Sequence, residues 1–305
     1  MTPEERNVPT PENQNPASRG RGSSIALWGG AIALAGALVY GGFIYPQTVR
    51  PDAGTLLSMC QLHLGLAQQI PVTDAKTHEQ RKINLDKALE ILTEVEADRP
   101  GLSITAEFRG FALWLRGDFD AAKREYATAL ERVQDDADLR IRLQSNLAAI
   151  ELESGSPDRA IECIAAIEGD VRTSSVWITE AQAWQAKGDS GKRSASLESG
   201  LRSAVEKGDE GAIFSIAEAA ASLGDDIATS AFTKLGVDNA RAQYRLAQLK
   251  IRENGTDSAT SMLEAIAKKA PEALKRWVHE DRGFWVGDRK ALADRVLSVA
   301  AGPSR

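Results

Sequence analysis

Residues 103–133 read SITAEFRGFALWLRGDFDAAKREYATALERV. Gly110 stands midway along a first amphipathic helix, and Gly117-Asp118 follows seven residues later as a turn. Phe119, Ala122, Tyr126 and Ala129 then recur at helical spacing, which places them on one face of a second helix. Small side chains at 110, 122 and 129 let two antiparallel helices approach closely. The larger Phe119 and Tyr126 fill the groove between them. The stretch therefore predicts a tight helical hairpin.

The same turn recurs at Gly155, Gly188, Gly224 and Gly255, at spacings of 38, 33, 36 and 31 from Gly117 onward. In Gly155-Ser156-Pro157, Ser156 suits an N-cap and Pro157 suits the first helical position. Gly188-Asp189 and Gly224-Asp225 repeat the Gly-Asp pair, with each aspartate expected to cap the helix that follows. No convincing alternating strand pattern occurs anywhere, and the chain is rich in alanine and leucine, which favour helix.

This pattern resembles the tetratricopeptide repeat (TPR), whose repeat is about 34 residues. It matches that family's central glycine, turn and second helix. It departs at Ala106, where the family often has tryptophan, and at Gln134, where it usually has proline. Ala88 and Pro100 stand twelve residues apart, as in the family's second helix and closing turn. They imply an earlier repeat with helices near 52–69 and 79–97, split by an enlarged loop around Pro71. The resemblance implies an all-α, right-handed α-solenoid of antiparallel helical hairpins over 50–270, in five or six units. Residues 271–305 are expected to add capping helices, with Pro271 starting one, Asp288 capping another, and Trp277, Phe284 and Trp285 covering the open end of the stack.

The N-terminal side reads differently. Residues 1–22, with three arginines and three glutamates, lack apolar groups to bury and are expected to be a disordered tail. Residues 25–45, IALWGGAIALAGALVYGGFIY, carry no charge and as a helix would span about 31 Å. They predict one transmembrane helix over 23–46. Cleavage after Ala37 as a signal peptide is the alternative. Arg19 and Arg21 on the near side place the N-terminus in the cytoplasm. The solenoid would then lie outside a bacterial inner membrane, a layout similar to that of the translocon-associated TPR proteins of Gram-negative bacteria. Gly29, Ala33, Ala37 and Gly41 form a small-residue stripe that could pair two copies.

The net charge of −6 falls entirely after residue 22, and no basic run is present. Nucleic acid is therefore not an expected partner. Cys60 and Cys163 share no metal-type spacing with His63, His78 or His279, so they read as packing residues or one disulfide. Neither a phosphate-binding loop nor a nucleophile elbow nor a zinc motif occurs, and paired acids such as Asp135-Asp136 and Asp225-Asp226 read as solvated helix caps. The expectation is a non-enzyme without cofactor or metal.

In TPR proteins the first helices of the hairpins line a concave wall. The resemblance would bring Glu107, Phe111 and Trp114 beside Arg142, Ser145 and Asn146, with Asn146 where many units have an asparagine that holds a peptide backbone. The expected partner is a protein or peptide in that groove. Self-assembly of the chain is the rival expectation. For Phe111 and Trp114, simple packing between helices is the alternative role.

Overall fold

The computed structural model describes residues 51–301, which contain fourteen α-helices and no strand. Six helical hairpins follow one another: α1 (Ala53–Gln69) with α2 (Ala75–Asp98), α3 (Ser103–Arg116) with α4 (Phe119–Arg132), α5 (Ala137–Glu153) with α6 (Pro157–Ala165), α7 (Ser174–Ala186) with α8 (Ser190–Glu206), α9 (Glu210–Leu223) with α10 (Ile227–Lys234), and α11 (Ala240–Arg252) with α12 (Thr256–Lys269). Two further helices, α13 (Pro271–Glu280) and α14 (Arg289–Ala301), pack against α12. Each second helix leans on the next first helix, from α2 on α3 through α10 on α11. Among the described residues, 57–301 form one compact unit. The fold is thus an all-α, TPR-like stack of hairpins.

Turn chemistry explains why the helices stop where they do. Gly117 takes φ 86°, a left-handed conformation that costs a side-chain-bearing residue energy, and Asp118 then accepts a hydrogen bond from the Ala121 amide at 3.3 Å. Gly188-Asp189 repeats the arrangement, with Asp189 capping through the Lys192 amide at 3.0 Å. Three details differ from the sequence-based expectation. At the last turn Asn254, not Gly255, is left-handed, because asparagine tolerates that region. Ser156 holds the N-cap position without making a side-chain cap bond. Asp225 is buried rather than solvated. It accepts from Arg193 Nε at 3.0 Å and Ser194 Oγ at 2.5 Å and so ties α8 to the turn before α10. The first hairpin also departs from expectation. Its connection covers only 70–74, and α2 starts at Ala75 because Asp74 and Thr77 form a reciprocal capping box.

Packing follows the small residues. Ala122 and Ala129 are fully buried, and a Cβ on Gly110 would stand 2.8 Å from the Tyr126 ring. A Cβ on Gly200 would stand at the same distance from Trp177 Cβ, across α7 and α8. Such approaches bring backbones together and bury Tyr126, Phe232 and Leu197 completely. Trp277 and Trp285 are almost completely buried against Tyr244, whose hydroxyl accepts from Trp285 Nε1 at 3.0 Å. Both cysteines are free; Cys60 is buried against α2, and the disulfide alternative falls away.

One expectation is corrected. Among the described residues no helix is long and apolar enough to cross a membrane. The described helices bury one face and carry charges on another, as helices of a water-facing stack do. The membrane placement, with the chain's orientation across it, is therefore overturned. The tail 1–22, the span 23–46 and the stripe Gly29, Ala33, Ala37 and Gly41 lie outside the described residues.

Candidate functional site

A cavity of about 300 Å³ opens among the first helices of the leading hairpins. Glu107, Phe108 and Phe111 reach it from α3, and Asn146 from α5. Tyr126 of α4 reaches it from behind, its ring lodged in the notch left by Gly110. From α1 come Leu64 and Gly65, flanked by the exposed amides of Gln61 and Gln68. The opening exists because the first helices do not pack evenly. α5 and α7, and α7 and α9, meet backbone to backbone, whereas α3 and α5 approach only weakly.

Side chains bridge that wider joint. Arg142 Nε donates to Glu107 Oε1 at 2.7 Å and its Nη2 to Oε2 at 2.9 Å, a two-pronged ion pair. The Glu107 side chain is 7 % exposed and that of Arg142 is 54 % exposed. The carboxylate's hydrogen bonds hold the guanidinium above its ordinary range. Trp114 Nε1 donates to Glu153 Oε2 at 2.7 Å, a second tie between the same helices.

The Tyr126 hydroxyl is the anomaly of the site. The residue is fully buried, and its oxygen has no hydrogen-bond partner. Asn146 lies near enough to draw the phenol's pKa downward, against the effect of burial, but not in hydrogen-bond geometry. Burial pushes the phenol above its usual range, and the Glu107 charge pushes it further. A buried hydroxyl that makes no bond is costly, and natural cores rarely tolerate one without a use.

The six residues expected to line a groove therefore divide. Glu107, Phe111 and Asn146 share the cavity. Arg142 stands outside it as the counter-ion of Glu107. Trp114 packs on the α3–α5 core, makes an edge contact to Phe111 at 5.9 Å, and lines a separate opening beside Arg81 and Leu85 of α2. Ser145 spends its hydroxyl on the Ile141 carbonyl of its own helix at 2.7 Å. Sequence reasoning missed the contribution of α1, and it assigned Tyr126 to packing alone. Among the described residues no group of three metal-ligating side chains gathers.

No protein-family model matches the chain, and no curated protein does. Solved structures do show similarity. PilF of Pseudomonas aeruginosa is 17% identical over 75% of this chain and 99% of its own, with a TM-score of 0.42. A tetratricopeptide repeat protein from Parabacteroides merdae is 12% identical over 87% and 98%, with a TM-score of 0.43. The C-terminal part of a TPR repeat-containing protein from Cytophaga hutchinsonii is 13% identical over 83% and 96%, with a TM-score of 0.40. These values carry nothing about partners. The fold stands on the helix order itself.

Proposed function

We propose that this chain is a non-catalytic scaffold that binds a segment of a partner protein across its leading first helices. The single observation that carries this reading is the open cavity lined by Phe111, Asn146 and Tyr126, the last with a buried hydroxyl that has no hydrogen-bond partner. A stack of hairpins offers its first helices as a continuous surface, and a peptide laid there could use Phe111 as an apolar platform and the Asn146 amide as a backbone clasp. Glu107 and Arg142 would set the spacing of the surface rather than touch the ligand, and Trp114 and Ser145 would support it from within.

A photocrosslinking side chain placed at position 111 tests the proposal in cells that make the protein, with the same group at exposed Ala127 of α4 as control. A discrete adduct formed from position 111 and not from 127 is expected. Equal or absent crosslinking at both positions would overturn it.

One observation favours self-association as a second reading. Met59, Leu62 and Leu66 lie on one face of α1 and are 42 %, 59 % and 43 % exposed. Sedimentation of the full chain decides this. A monomer at all concentrations removes the second reading and leaves the first intact.

A further inference from the structure

Three features of the cavity select the chemistry of what enters it. The first is the sign of its charge. Glu107 is the one ionised group on its wall. The guanidinium that pairs with Glu107 projects outward and is half exposed, so water screens it while the buried carboxylate acts inward. The Tyr126 phenol reports this imbalance, since Glu107 raises it more than Arg142 lowers it. Each carboxylate oxygen donates only one lone pair to Arg142, so acceptor capacity remains.

The second feature is the unspent polar set. The Tyr126 oxygen and the Asn146 amide oxygen can both accept hydrogen bonds, and the Tyr126 hydroxyl has no partner inside the protein. An apolar side chain would leave that hydroxyl unsatisfied, and an acidic one would meet Glu107. The third feature is the apolar lining. Phe108 and Phe111 contribute aromatic rings, a residue type whose faces attract cations, and Leu64 gives an aliphatic stem something to lie on. About 300 Å³ is small for a drug-sized ligand yet sufficient for one long side chain.

We propose that the cavity among α1, α3 and α5 is a pocket for a single basic side chain, the lysine or arginine of a bound peptide, held by Glu107, Tyr126 and Asn146. This rests on the peptide-binding reading above and names the residue that anchors the peptide. The charge of −6 on the chain steers basic segments toward it.

The probe is a random peptide library displayed on phage and selected on the full chain. Enriched peptides are then synthesised with the shared arginine changed to citrulline, or the shared lysine to norleucine. Expected is a common basic residue whose neutral replacement weakens binding about ten-fold or more, as loss of a buried charged contact does. Glu107→Gln should remove most of the difference between basic and neutral peptides. Tyr126→Phe keeps the ring in the Gly110 notch and should weaken the basic peptide selectively. Gly65→Leu is a plug: a Cβ there meets nothing within 4 Å, so the chain tolerates it, and binding should be lost with helicity intact.

Enriched peptides that share no basic residue, or that bind equally well as citrulline or norleucine forms, would overturn the basic anchor while leaving peptide binding standing. Binding unchanged by Gly65→Leu would overturn the location. Failure to enrich any peptide would overturn both proposals together.

Discussion

Gly110→Ala sets two effects of opposite sign against each other. Alanine is favoured over glycine in a helix interior by about 1 kcal/mol. The new methyl, however, would stand 2.8 and 2.9 Å from Tyr126 Cδ2 and Cε2, and ordinary carbon contacts begin at about 3.5 Å. The ring must therefore retreat by roughly 0.7 Å into surroundings that leave it no exposed surface. Overpacking of this kind costs about 1–3 kcal/mol, so the net expectation is a loss of about 1 kcal/mol. Gly65 supplies the control. It too lies inside a helix, but its Cβ would meet nothing within 4 Å, so Gly65→Ala should stabilise by about 0.5–1 kcal/mol. Urea unfolding followed by far-ultraviolet circular dichroism compares both variants with the parent. A Gly110→Ala chain as stable as Gly65→Ala would refute the close approach of α3 and α4. In a Tyr126→Leu background the Gly110→Ala penalty should vanish, because the clashing ring is gone.

Three further outcomes are expected. Arg142→Ala strands a buried carboxylate and should cost on the order of 2 kcal/mol in urea unfolding, reduced from the full buried-pair value because Arg142 is half exposed; adding Glu107→Gln should recover part of it. Burial pushes the Cys60 thiol up to about 12, whereas an unfolded thiol titrates near 8.5. The folded state thus keeps a proton that the unfolded state loses. The resulting stability is complete below about pH 8.5 and drains away as pH climbs toward 12, and Cys60→Ala should flatten that part of a stability–pH curve. Asp189→Ala removes the cap on α8 and should lower stability by about 1 kcal/mol, while Asp189→Asn should not.

Local chemistry made the fold legible and the site only half so. Gly117 and Gly188 adopt left-handed backbone followed by a capping aspartate, and both signals sit within two neighbouring residues. The same chemistry misleads on phase. Gly208-Asp209 carries an identical signature, φ 65° and a cap to the Ala212 amide at 2.9 Å, yet it joins α8 to α9, helices of different hairpins. Glu107, Phe111 and Asn146 were foreseeable because each lies on the face of a first helix that the repeat turns inward. Trp114 and Ser145 share that spacing, but Glu153 captures the indole and the Ile141 carbonyl captures the hydroxyl, choices made by partners that periodicity does not reveal. Tyr126 matched its packing role, and its missing hydrogen bond is invisible without coordinates. The helix α1 is legible near 52–69, but which of its residues meet α3 and α5 depends on the short capped turn that Asp74 and Thr77 set, and spacing does not reveal it.

The wider spacing of α3 and α5 has a mechanical meaning. Helices α4 and α5 remain packed along the back of the stack, so the second and third hairpins resemble pages hinged on a bound spine. The clasp across the open edge consists of Arg142 on Glu107 and Trp114 on Glu153, both electrostatic in character. Prying that edge apart would break those two ties, while Lys123 of α4 stays paired with Glu151 of α5 along the spine.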